Sequence, residues 1–169
     1  MITIESTLVA GRSVEEVWAF FNRVDDLATC VPTCVRHRVV DENTVDCDLR
    51  LKLGLIPLEN RVRMTVIERR APVRLVATGI SEAGDNLQKF GKVATDTVTK
   101  LTMSLDLESL APGGTRIHYH ILADAVGQMK RVYESIIRGQ RDKLEQQFVQ
   151  NVSRALGGAV AREAMHVSV

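Results

Sequence analysis

The chain has 169 residues, 45% of them hydrophobic, and its 22 basic side chains nearly cancel its 21 acidic ones. That length fits one domain with a substantial core, and the charge balance excludes a global field that would draw nucleic acid or an anionic membrane. No segment approaches the roughly 20 apolar residues of a membrane span, and the opening Met-Ile-Thr-Ile-Glu lacks the basic and apolar regions of a signal peptide, so a cytoplasmic protein is expected.

Along the chain, Ile2, Ile4, Ser6 and Leu8 alternate with Thr3, Glu5 and Thr7, the period of a half-buried strand. Ser13 then offers an N-cap, with Glu16 three residues on to complete a capping box before Val17, Trp18, Phe20 and Phe21. Asp25 to Thr29 reads as a second short helix, ended by Pro32, and Trp18 reads as a core residue. Cys30, Cys34 and Cys47 are odd in number, which fits reduced thiols. No histidine pair stands near them at zinc-finger spacing, so no metal site is expected.

Val35 to Val40 and Thr44 to Leu53 flank Asp41, Glu42 and Asn43 as a hairpin. In its second strand Val45, Cys47, Leu49, Leu51 and Leu53 alternate with Asp46, Asp48, Arg50 and Lys52, which assigns the buried face. Gly54 to Pro57 turn the chain into a strand over Leu58 to Arg70, and Ala71-Pro72 turns it again into Val73 to Ile80. Arg61, Arg63, Arg69, Arg70 and Arg74 read as the solvated face of these strands rather than a phosphate-binding stripe. Residues 81 to 97 lose periodicity, with Phe90 as their large apolar residue, and read as a long connection or flap of the kind that borders a site. Leu101, Met103, Leu105 and Leu107 restore alternation. Ala111 to Gly114 is a turn, and Ile117, Tyr119, Ile121 and Ala123 form a further strand.

From Gln128 to Leu156 the period changes. Met129, Val132, Tyr133, Ile136, Ile137, Leu144, Phe148, Val152 and Leu156 recur at helical intervals, with Lys130, Arg131, Glu134, Arg138, Arg141, Asp142, Glu145, Gln150 and Arg154 on the other face. Such a helix runs to about 43 Å and is amphipathic, so it lies over something apolar. Gly139 and Gln140 interrupt the stripe. They are either a tolerated glycine beside a hydrated glutamine or a break in packing above a cavity.

The predicted order is β, α, α, six strands, α, a single α+β domain over residues 1–157 with 158–169 as a tail. An antiparallel meander apolar on one face needs a cover, and the long helix is large enough to supply it, as in a helix-grip fold. Where a curved sheet parts from the helix a gap opens. Leu49, Leu51, Met64, Met103, Tyr119, Tyr133, Ile137 and Phe148 are placed to line it, with Phe90 and Gln140 at its borders, unless these side chains simply fill a core. His118 and His120 fall on the solvent side by alternation, and His37 points inward or to the rim. No catalytic set emerges from spacing, and no glycine-rich phosphate loop is present.

Several pieces carry a resemblance. They are Val14-Glu15-Glu16-Val17-Trp18, Asp25-Asp26-Leu27 leading to Cys30-Val31-Pro32, Lys52-Leu53-Gly54-Leu55-Ile56, Gly114 to Tyr119, and Ala125-Val126-Gly127. Over residues 2–156 the chain resembles the START-like (SRPBCC, helix-grip) superfamily, and within it the family of the carbon monoxide dehydrogenase G-subunit (CoxG). It departs from the family at Thr33, where glycine usually follows Cys-apolar-Pro, and in its short tail, Gly157 to Val169. The resemblance implies an accessory protein without a cofactor that binds an apolar ligand, quinone or lipid-like. Its implied partners are a molybdenum hydroxylase complex and a membrane touched only peripherally from its inner side, and the resemblance is compatible with a homodimer. Other helix-grip relatives imply two alternatives: a polyketide cyclase or dehydratase using Tyr119 or His37, and a protein-binding, co-chaperone-like module with a solid core.

Overall fold

Alternation along the strands divides one antiparallel sheet into an apolar face and a charged face, and a helix covers the apolar one. The computed structural model describes residues 1–83 and 98–163. Its strands are β1 (Ile2–Ala10), β2 (Cys34–Val39), β3 (Thr44–Leu53), β4 (Ile56–Arg70), β5 (Arg74–Ala83), β6 (Thr99–Leu110), β7 (Gly114–Asp124) and β8 (Val160–Arg162). The helices are α1 (Val14–Phe21), α2 (Val24–Cys30) and α3 (Gly127–Leu156). The strands form a curved open sheet in the order β2-β3-β4-β5-β6-β7-β1-β8, with every pairing antiparallel. This is the expected helix-grip arrangement, with an eighth strand built from residues assigned to the tail.

The register sets what faces α3. Cys47 pairs with Val62, Met64 with Gly79, Ala77 with Met103, Leu105 with Tyr119, and Tyr119 with Ser6, all on the covered face. At Gly79 the Met64 thioether lies where a Cβ would stand, and the Arg63 carbonyl oxygen is 3.0 Å from that position. A register shift between Val66 and Glu68 bulges β4 and leaves Ile67 exposed. Residues 81–83 continue β5, whereas the rest of the expected flap, including Phe90, lies outside the described residues.

The N-terminal helices close one end of the grip. Ser13 Oγ accepts the Glu16 amide at 3.3 Å, as a cap should, but the reciprocal half of the capping box is replaced by a Glu16–Arg12 ion pair at 3.9 Å. Val14, Val17, Trp18 and Phe21 are buried, and α2 buries Val24, Ala28 and Cys30. Trp18 is thus a core residue, as its sequence context suggests.

Helix α3 spans 30 residues, about 45 Å. It ends at Gly157, whose φ of 67° is the left-handed conformation that lets the Gly157 and Gly158 amides both return to Ser153 O. The chain then runs back along β1. Glu163 binds the Thr7 carbonyl through its amide and Arg116 through its carboxylate at 3.0 Å, which holds β8 in place. Gly139 faces solvent, with no atom within 4 Å of where a Cβ would stand, so it is a tolerated helix glycine rather than a break over a cavity.

Candidate functional site: the space between sheet and helix

The apolar interior is divided. Leu8, Val17, Trp18, Phe21, Ile117, Tyr119 and Val152 belong to a cluster at the C-terminal half of α3. Val24, Ala28, Val45 and Cys47 form a second under α2, with Leu49 and Met64 packed against it. Leu58 and Ile136 form a third, joined by Leu51, Val132 and Tyr133. Leu101, Ile137 and Leu144 face the same interior by register or helical position yet join none of the three. They and Ile4, Leu49, Met64, Met103, Ile121 and Phe148 are half-buried although they belong to the covered side. A side chain under a helix keeps accessible surface only where its neighbours stop short of it.

Helix α3 comes close to β1, β3, β8 and α2 along the backbone, and reaches β4 and β7 through side chains, Tyr133 to Asn60 and Glu145 to Tyr119. Polar tethers from consecutive helix residues reach both sides of the sheet. Gln140 donates to Lys52 O at 2.7 Å on one side, and Arg141 donates to Glu5 O at 3.0 Å on the other. Gln140, which sequence reading leaves either hydrated or bordering a cavity, is therefore engaged by β3.

The residues expected to line a site fall as follows. Leu49, Leu51, Met64, Met103 and Tyr119 share the covered face of β3, β4, β6 and β7, and Tyr133, Ile137 and Phe148 come down from α3. Tyr119 and Phe148 meet edge to face with ring centroids 5.7 Å apart. Seven of these eight residues are spread over the three clusters and Ile137 joins none, so they do not form one packed unit.

Sequence reading missed the polar members of this interior. Glu145, assigned to the solvated face of the helix, is only 8% exposed. The reason is β8, which brings Arg162 to 3.2 Å from Glu145 Oε2, while Tyr119 donates to Oε1 at 3.0 Å. Arg162 is an ion-pair partner only, and Oε2 has no hydrogen bond. Burial pushes the Tyr119 phenol up to about 12, with the Glu145 charge adding to the effect. Asn60 is another, at 4% exposure, and donates from Nδ2 to Tyr133 Oη at 2.8 Å. Its parity with Leu58 and Val62 was the available signal, since a polar residue in an inward series must find a partner.

The histidines behave as alternation predicts. His118 lies on the outer face between Thr7 at 2.9 Å and Glu5 at 3.0 Å, and His37 sits at the rim with Nε2 2.6 Å from Asp25 Oδ1. A depression of about 790 Å³ also exists on the outer face, bordered by Asp46, Asp48, Arg61, Arg63, Glu82 and Lys100. It is a trough open to solvent, with Ile80 among the charged side chains of its lining, and Arg63 pairs with Asp46 there at 2.6 Å. Among the described residues no helix is long and apolar enough to cross a membrane.

Comparison with known proteins bears on this geometry. The family model for the carbon monoxide dehydrogenase G-subunit (CoxG) matches residues 9–157. No curated protein sequence matches the chain. A conserved protein from Geobacillus kaustophilus has a similar structure, with a TM-score of 0.73 at 15% identity over 94% of this chain and 99% of that one. A START superfamily protein from Mycobacterium smegmatis gives 0.55 at 12% identity, covering 91% of this chain and 93% of its own. An HSP90 activator from Plasmodium falciparum gives 0.52 at 11% identity, covering 95% and 100%. At these identities the likeness is one of fold.

Proposed function

The chain belongs to the carbon monoxide dehydrogenase G-subunit (CoxG) family, and on that premise we propose that it is a non-catalytic accessory protein holding an apolar small molecule, quinone or lipid-like, between the sheet and α3. The observation that carries this reading is the set of apolar side chains on the covered side that remain half-buried, some packed against separate clusters and Leu101, Ile137 and Leu144 outside them. Leu49, Leu51, Met64, Met103, Ile137 and Phe148 would make the apolar contacts, with the two methionines adapting to ligand shape. The residues on which an acid–base enzyme would rest stand apart, Tyr119 hydrogen-bonded to Glu145 inside the fold and His37 to Asp25 at its rim.

As the partner served we propose a molybdenum hydroxylase complex, by extension from a family whose description names carbon monoxide dehydrogenase. A peripheral membrane contact fits the turn Lys52 to Ile56, where Leu55 is 99% exposed beyond the Leu51–Leu58 pair that packs on Tyr133. The test is native mass spectrometry of freshly purified protein alongside analysis of its lipid extract. A co-purifying prenyl lipid or quinone at a stoichiometry approaching one is the expected result. Protein that carries no apolar molecule and takes up none from added lipid extract would instead favour a solid-cored interaction module.

A further inference from the structure

Asn60 is almost wholly buried on the covered face of β4, yet its side-chain oxygen has no hydrogen-bond partner. Its amide nitrogen donates to the Tyr133 hydroxyl oxygen at 2.8 Å, so the phenol's own proton must point elsewhere, and no described group accepts it. The pair therefore presents one unused acceptor and one unused donor side by side. Turning the amide over exchanges these roles but still leaves one amide atom unpaired. Around them are Leu51, Leu58, Val132 and Ile136, all apolar. A buried amide among hydrocarbon is costly unless something completes its bonding, which marks the position as one built to meet a polar atom.

We propose that Asn60 and Tyr133 form the polar end of the ligand space and recognise a carbonyl or hydroxyl oxygen at the head of an otherwise apolar ligand. This rests on the binding reading above and specifies which chemistry that ligand carries. Tyr133 donates to the oxygen, and Asn60 accepts from it where it bears a proton. Burial pushes the Tyr133 phenol up, so it keeps the proton it donates at neutral pH. The hydrocarbon body extends from this end toward Ile137 and Met103.

A matched pair of probes tests it: 2-methyl-1,4-naphthoquinone, which has carbonyl oxygens, and 2-methylnaphthalene, which has the same ring skeleton without them. Binding is measured by titration of intrinsic fluorescence for the wild-type chain, Asn60→Leu and Tyr133→Phe, with thermal melting to verify folding. The wild-type chain should prefer the oxygenated probe by about tenfold, the size of one good hydrogen bond. Asn60→Leu should bring that preference close to unity without weakening the hydrocarbon, and Tyr133→Phe should reduce it in the same direction. If both folded variants keep the wild-type preference, Asn60 has only a structural role and this assignment is wrong while the binding reading stands. Failure of the wild-type chain to bind either probe would remove the binding reading and this one together.

Discussion

The hydrogen bond from Tyr119 to Glu145 couples a strand to the helix above it, and its location away from water makes it sensitive to alkali. The phenol ionises near 10 in an unfolded chain but at about 12 in the fold. Because the folded value is the higher, the neutral phenol's stabilisation is complete below pH 10 and is lost as pH rises from 10 to 12, a loss of about 2–3 kcal/mol. The Cys47 thiol, pushed from 9.0 to about 12 by burial and then by neighbouring Cys34, starts a similar loss at pH 9. Urea unfolding between pH 7 and 11 should show stability declining from pH 9 and more steeply above 10. Tyr119→Phe should cost about 1–3 kcal/mol at pH 7, by stripping a donor from a buried carboxylate, and flatten the steeper limb. An unchanged alkaline slope in that variant would mean the phenol is not shielded as described. Alternation alone places Tyr119 inside, but Glu145 stands on a polar stretch of α3, and nothing local reveals that β8 will return to cover it.

At the scale of the element, two glycines that look alike in sequence have opposite roles. Gly139 faces solvent in the middle of α3, so Gly139→Ala should add up to about 1 kcal/mol by helix propensity alone. Gly79 lies beneath the Met64 thioether, and Gly79→Ala should cost about 1–3 kcal/mol as Met64 is driven off β5 toward the helix. Equilibrium denaturation of the two variants side by side checks both signs; a stabilising Gly79→Ala would show that Met64 moves freely and that β5 and β4 are not tightly apposed. The helical period of α3 and the hairpin of β2 and β3 were readable because each follows from residues close in sequence. The β4 bulge was not, since the shift between Val66 and Glu68 exists only in the pairing with β5.

For the whole molecule, the division of the interior into clusters predicts an uneven response to enlargement. Val152 is fully buried among Leu8, Val17 and Ile117, whereas Ile137 joins no cluster. Val152→Phe should lower stability by about 1–3 kcal/mol or more through overpacking. Ile137→Phe should stay within about 1 kcal/mol of the wild-type chain while reducing uptake of apolar ligand. Thermal melts of the two variants decide the matter: comparable large losses would mean that the space beside Ile137 is already filled. At mid-length α3 is tied to both sides of the sheet, Gln140 to Lys52 O and Arg141 to Glu5 O.

The sequence by itself determined the order of elements as far as α3, the inward face of the strands before it and the amphipathic helix, because period 2 and period 3.6 are properties of neighbouring residues and hold before any tertiary contact forms. It also carried the family, through short motifs spread from Val14 to Gly127. Only the tertiary structure decided that Val160 to Arg162 would become an eighth strand, that Glu145 would be buried and that Asn60 would meet Tyr133. Each of these depends on how far a curved sheet departs from a nearly straight helix. That distance is set by the sum of twist, bulges and strand order over the whole sheet, and no local stretch of sequence records it.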